Sequence, residues 1–284
     1  MWESLPAQFQ LLIEDCLPHF GNESHNLRML DIGCGTGLAT EMILNTKIGR
    51  RIQSIDLLDS SPSMLHRVRE RISRRQKPVE CHQGYLDSLR TDKRFDLIVT
   101  SSVLHHVPDL ASFLRGVCAI QTAGGVFLHI QDPNGDYLND AQLQNRMAEQ
   151  SQRRRPSWTS RFTPPRLARS VFNRITGRRG APLAWKTNRS LLERGILASP
   201  LSTNELYSIT DIHVQNGEQE GIRISRMQKW LPDYDCISQR SYGFFGELWS
   251  TLPPSLQKIE EQLIADRALN GFHVGAAWKL RPTP

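Results

Sequence analysis

No stretch of this 284-residue chain approaches the ~20 consecutive apolar residues that a membrane-spanning helix needs. The first twenty residues, MWESLPAQFQLLIEDCLPHF, carry acids and no basic leader, so they do not read as a secretion signal. They read instead as an amphipathic helix with Leu5, Phe9, Leu12, Ile13 and Leu17 on one stripe. Cysteine is scarce. Cys16, Cys34, Cys81, Cys118 and Cys236 lie far apart with no CxxC pair, which argues against a disulfide framework or a zinc site. Reduced thiols in a cytoplasm are the expectation. Acid is missing altogether from residues 151–192, which hold eleven Lys or Arg. Subtracting those eleven from the formal +6 leaves −5 for the remainder, so the basic character of the chain belongs to one segment.

What is present is alternation. RMLDIG, IQSIDLLD, VECHQG, FDLIVTS and GVFLHI are short apolar runs, separated by helix-like stretches over 37–45, 63–76 and 110–120. Such alternation predicts a mostly parallel sheet with helices on both faces. Near the end, YDCISQRSYG and FHVGAAWKL flank a helix expected over 254–269, which gives seven strands in all. The pattern breaks between Asn134 and Gly221.

The stretch MLDIGCGTGLA, residues 29–39, places three glycines between a strand and a helix. Glycine lets the backbone take positive φ and lets a ligand approach the main chain. A nucleoside triphosphate site needs a GK[ST] ending, which is absent. A dinucleotide site needs GxGxxG, whose last position here is Leu38. A phosphate-free adenosyl group remains. Asp31 at the strand end would repel a pyrophosphate and attract a cation such as an ammonium beside a sulfonium. Asp59, ending the next strand, suits two ribose hydroxyls, although dinucleotide sites use the same device.

With these residues in view, the chain resembles the class I S-adenosylmethionine-dependent methyltransferases of small-molecule type. LDIGCGTG resembles their first motif, SIDLLDSSPSMLHRVRER their acidic second strand and helix, FDLIVTSSVLHHVPD their fourth strand and AGGVFLHIQDP their fifth. The likeness covers about residues 28–134. It implies a Rossmann-like seven-stranded sheet with one antiparallel strand near the edge, and S-adenosyl-L-methionine as cofactor. The cofactor-binding residues it implies are Asp31, Gly33, Gly35, Gly37, Asp59, Ser60, Met64, Asp87 and Ser101. Helix packing is the rival role for Gly37, and core packing for Met64. The family often carries an acid directly after the glycine of VECHQG. Here Tyr85 stands there, and Asp87 is the nearest acid.

Three organisational units are expected: a cofactor-binding core over 1–134 with its N-terminal helix, a basic cap insert over 135–224 on the substrate side, and the last two strands within 225–284. His105 and His106 follow the fourth strand, where the reactive methyl should project, so either is a candidate proton acceptor. His213 in the insert is a further candidate, with Asp132 and Tyr137 behind it. The structural alternative for LHHVPD is a turn whose histidine is satisfied by backbone. Methyl transfer to an amine or phenolate needs only orientation, whereas an alcohol needs a base.

Within the insert, PPRLARSVFNRITGRRG reads as a helix with an arginine-rich face, and Arg153, Arg154 and Arg155 precede it. A solvated cap helix and contact with an anionic substrate or carrier are the competing readings. The expected function is methyl transfer to oxygen or nitrogen of a small organic acceptor in a biosynthetic pathway. An RNA methyltransferase is the alternative, weakened because only Trp158, Phe162 and Phe172 interleave the basic residues. A catalytically silent adenosyl-binding regulator is the third reading.

Overall fold

The computed structural model describes residues 4–20, 26–153, 188–189, 192, 197–202, 214–215, 218–219, 221–246 and 249–282. The sheet is built from β1 (Leu27–Ile32), β2 (Ile52–Asp59), β3 (Val79–Gln83), β4 (Phe95–Ser101), β5 (Gln121–Pro133), β6 (Tyr234–Tyr242) and β7 (His273–Leu280). Their spatial order is β3-β2-β1-β4-β5-β7-β6, with β7 antiparallel to both neighbours and the first five strands parallel. This is the doubly wound sheet that the alternation predicts.

The central strands are nearly continuous apolar runs because both faces are covered. On one face Met29, Leu57, Leu97, Val99 and Leu128 pack under α1 (Ser4–Cys16), α2 (Leu38–Leu44) and α4 (Pro62–Ile72). On the other, Leu30, Ile98, Phe127, Ala276 and Trp278 pack under α5 (Leu110–Ile120). Between α2 and α4 lies the short α3 (Lys47–Arg51), capped by the Thr46 side chain. Phe9, Leu12 and Ile13 of α1 are at most 1% exposed, each burial worth about 1.5–3 kcal/mol. Phe9, Leu12 and Ile13 of the expected stripe therefore cover the sheet, with Leu17 packed beside them.

The capping chemistry sets the helix starts that feed the site. Pro62 opens α4 at a position where its missing N–H costs nothing. The Asp109 side chain accepts from Ser112 N at 2.9 Å and starts α5. Beyond β5 come α6 (Ala141–Arg153), α7 (Ile224–Trp230) and α8 (Pro254–Ala265). The last of these stops four residues short of the expected Leu269, because Arg267 takes a positive φ of 55°.

Asn134 bridges to Ile222, and Ile222 is wholly buried against the sheet, so the chain returns to the core there. The expected helix over the basic segment, Arg154, Arg155 and His213 lie outside the described residues. Among the described residues, no helix is long and apolar enough to cross a membrane.

Candidate active site

The carboxyl ends of β1, β2, β4 and β5 converge where the strand order reverses between β1 and β4, the usual ligand crevice of such sheets. All three loop glycines take positive φ, at 67°, 51° and 79° for Gly33, Gly35 and Gly37. Their surroundings differ. A Cβ on Gly33 would lie 2.5 Å from Val103 Cγ2, and one on Gly37 would lie 2.3 Å from Val68 Cγ2. Packing thus demands glycine at both. A Cβ on Gly35 would meet only Gly33 O, at 4.0 Å, so this residue alone of the three borders open space.

The loop amides turn inward. Gly33 N and Cys34 N donate to Leu58 O, Gly37 N donates to Cys34 O, and Gly35 N donates to Asp59 Oδ2 at 2.8 Å. The loop therefore offers a shaped space rather than a nest of free N–H groups, as suits a ligand without phosphate. Asp59 Oδ1 accepts from Ser61 N at 2.8 Å, so one carboxylate ties the glycine loop to the start of α4.

Asp31 differs from the acid at the loop mouth that the sequence suggests: it is 0% exposed. Thr40 Oγ1 donates to its Oδ2 at 2.5 Å, while its Oδ1 is buried without a partner. Burial pushes its pKa up to about 7; the Thr40 hydrogen bonds oppose this and the charge of Asp59 adds to it. A cationic group would satisfy the orphan oxygen and restore the ionised state. Met64 and Ser101 are half-buried, whereas Ser60 and Asp87 are exposed. Tyr85, where the family's acid is expected, is 70% exposed.

After β4 the chain turns through Ser102 at φ 59° into a short 3-10 turn, Leu104–His106. His105 is 13% exposed, and its Nδ1 lies 2.8 Å from Oδ1 of Asp132, which is wholly buried. The His105 backbone N–H also donates to that oxygen at 3.3 Å. Burial raises the pKa of Asp132, but hydrogen bonds from His105 and His129 outweigh it and hold the carboxyl below its usual range. An ionised Asp132 can only accept, so Nδ1 of His105 carries the hydrogen and Nε2 is the basic nitrogen. His106 is exposed, its ring tilted against that of His105 with centroids 3.9 Å apart. Tyr137 is half-buried and outside this hydrogen-bonded set.

His129 is the residue the sequence did not single out. Its Nδ1 lies 3.4 Å from Asp132 Oδ2, although residues three apart on a regular strand face opposite ways. The register shift between His129 and Asp132, with Gln131 at φ 69°, reverses that parity. Nothing in the sequence HIQDP announces such a bulge.

A separate cluster joins Asp56, Glu80 and His82 on β2 and β3, a set of metal-ligand types. Lys93 Nζ stands between its two carboxylates, 2.9 Å from Asp56 and 2.5 Å from Glu80, and offsets part of their charge.

Comparison with known proteins agrees with this geometry. Residues 30–127 match a family model described as a methyltransferase domain. A ubiquinone biosynthesis O-methyltransferase of Methylobacterium sp. (strain 4-46) is 33% identical over 102 residues, 36% of this chain and 39% of that protein. Its counterpart from Methylobacterium nodulans is 25% identical over 43% of this chain and 50% of its own length. The chain thus matches no more than half the length of either relative. A solved structure from Galdieria sulphuraria, provisionally described as a sarcosine dimethylglycine methyltransferase, shares the fold at 11% identity. It covers 97% of this chain and 86% of its own, with a TM-score of 0.53.

The strand order, the motifs and the match over residues 30–127 together identify a methyltransferase domain of the class I S-adenosylmethionine-dependent type within this chain. S-adenosylmethionine is the cofactor of that class, and the open space at Gly35 and the orphan oxygen of Asp31 fit its phosphate-free, cationic character.

Proposed function

We propose that this protein transfers a methyl group to an ionisable oxygen of a small organic acceptor in a biosynthetic pathway, in the cytoplasm, with His105 as proton acceptor. The observation that carries this reading is the 2.8 Å contact between His105 Nδ1 and the wholly buried Asp132 at the carboxyl ends of β4 and β5. The O-methyltransferase name of the bacterial relatives supports oxygen over nitrogen.

Asp31 would hold the cofactor's ammonium, the Gly35 loop its adenosyl group and Asp59 the ribose hydroxyls. Ser101 would line the methionine end, with Ser60, Met64 and Asp87 at the adenosine end. The cofactor supplies a methyl carbon already activated by positive sulfur. The protein's part is to hold the acceptor in line and to take its proton. Asp132 fixes the imidazole with Nδ1–H bound, so the lone pair of Nε2 is presented to the acceptor hydroxyl. The proton then resides on an imidazolium that Asp132 stabilises. The choice of acceptor is attributed to the insert over residues 135–224, expected from the sequence on the substrate side.

The test uses labelled S-adenosylmethionine and a panel of substituted phenols of graded acidity. His105→Gln should lower kcat by about 10²-fold or more while the Kd for S-adenosylhomocysteine holds. The loss should shrink for the most acidic phenols, which arrive already ionised. Equal rates in the variant across the panel would remove His105 from the reaction.

A further inference from the structure

The pair of His105 and Asp132 has a third member. Asp132 is bonded on both sides: Oδ1 faces His105, and Oδ2 faces Nδ1 of His129, itself 0% exposed. The interior position of His129 on β5 is costly for a polar ring, since its Nε2 is buried with no partner. The backbone there is also irregular. Gln131 and, just beyond the end of β4, Ser102 both take positive φ without being glycine. Strain of this kind persists where the surroundings over-determine it, and it collects at working sites. Restored alternation would remove the irregularity at Gln131 but would turn Asp132 away from His129 and the face it shares with His105.

We propose that His129 is a positioning residue for the reaction. It donates from Nδ1 to Asp132 Oδ2 and thereby holds the carboxylate ionised and oriented toward His105. This rests on the reading of His105 as the base. The carboxylate accepts and cannot donate, so the contact requires the Nδ1–H tautomer of His129. Nε2 is then the bare nitrogen, a cheaper orphan than an unpaired N–H would be. With both oxygens engaged, Asp132 cannot swing about its Cβ–Cγ bond, and the His105 ring keeps one orientation.

The other titratable groups around this triad are accounted for. His273 on β7 stacks on Tyr242 of β6 with centroids 5.2 Å apart. Burial lowers the His273 pKa to about 4, the charge of Asp132 opposing and that of His105 adding. It is therefore neutral where the enzyme works. The Tyr242 phenol is raised well above its ordinary value by burial and by the charge of Asp132, so it too stays neutral. His106 lies beside His105 on its solvent side. Asp132 is thus the one fixed charge of this group, and the groups bonded to it set how strongly it holds a proton on His105.

Nitrogen-15 NMR of the histidine-labelled full chain at pH 8 should show His129 protonated at Nδ1 and bare at Nε2. The opposite tautomer would overturn the proposal, with no turnover assay involved. His129→Leu removes the donor, and His129→Asn keeps an N–H near the Nδ1 position. With the phenol panel, His129→Leu should lower kcat by about tenfold or more at unchanged affinity for S-adenosylhomocysteine. The acid limb of its pH–rate profile should move to higher pH, because a carboxylate bonded on one side holds the imidazolium proton more tightly. His129→Asn should restore most of both. A rate loss in His129→Leu without movement of the limb, or one that His129→Asn fails to repair, would make His129 a packing residue only. The separate His105→Gln assay tells whether the base reading itself has failed.

Discussion

Gly35 N donates to Asp59 Oδ2 at 2.8 Å, so the acid at the end of β2 braces the loop at the end of β1 before any ligand arrives. The same side chain accepts from Ser61 N, and both walls of the crevice are tied to one carboxylate. Replacement by Asn leaves one oxygen where two N–H groups need acceptors. Hydrogen bonds to a charged group are each worth about 1.5–3 kcal/mol, so Asp59→Asn should weaken S-adenosylhomocysteine roughly ten- to hundredfold in calorimetry. Affinity within twofold of the parent would show that Asp59 has neither a bracing nor a binding role.

Gly35 and Gly37 should separate cleanly on substitution by Ala. At Gly37 the new Cβ meets Val68 Cγ2 at 2.3 Å with φ at 79°, a clash plus backbone strain of about 2–4 kcal/mol. At Gly35 its nearest neighbour is Gly33 O at 4.0 Å, an ordinary contact, leaving a strain of roughly 1–2 kcal/mol. Thermal melts should therefore show the larger loss for Gly37→Ala, and titrations the larger loss of cofactor affinity for Gly35→Ala. Reversal of that order would contradict the division of roles.

The pH response of the ligand-free protein follows from Asp31 and Glu260. Burial, opposed by backbone hydrogen bonds from Gly243 and Phe244, raises Glu260 to about 7, as burial does Asp31. Both folded values exceed the unfolded ones, so their contribution is fully present below about pH 4 and is lost as pH rises through about 7. His273, whose pKa burial lowers to about 4, works the other way over the same range. The effect is therefore read against an Asp31→Asn, Glu260→Gln double variant: the parent's denaturant midpoint relative to that variant should fall across the window and level off above it. If Asp31 holds the cofactor's ammonium, S-adenosylhomocysteine binding below pH 7 should release a proton. Calorimetry in buffers of different ionisation enthalpy measures it. A release that survives in Asp31→Asn would point to another group.

The eleven basic residues over 151–192 offer an electrostatic test. Should they gather an anionic acceptor or carrier, apparent KM rises with salt as the Debye length falls from ~30 Å to ~8 Å. Changing Arg153, Arg154 and Arg155 to Glu should raise KM and leave melting and cofactor affinity in place. Early melting with a salt-independent KM would make these arginines structural, and tight RNA binding with a steep salt slope would favour a nucleic-acid substrate.

The sequence made much of this readable, for physical reasons that can be named. β2 and β4 run over the residues that IQSIDLLD and FDLIVTS mark, because strands buried on both faces need unbroken apolar runs. β5 starts four residues before GVFLHI, directly after α5, because its pairing with β4 already begins at Gln121. Helix packing was a rival reading for Gly37, but only the fold names Val68 as its neighbour. Asp31 was legible as an acid at the loop and not as a buried one, since burial depends on α2 bringing Thr40 against it. His129 was hidden for a stricter reason. Strand periodicity assigns it and Asp132 to opposite faces, and the bulge that unites them leaves no mark in residue type.

That bulge makes the site sensitive to counting as well as to chemistry. Removing one residue from the Ile130–Gln131 step would leave every functional side chain encoded, yet send Asp132 to the far side of the sheet. The distance from His129 to Asp132 along the chain therefore works like a parity bit. Chains of this fold with one residue fewer at that step cannot build the triad from the same letters, and insertion–deletion scanning across it would expose a dependence that substitution scanning cannot reach.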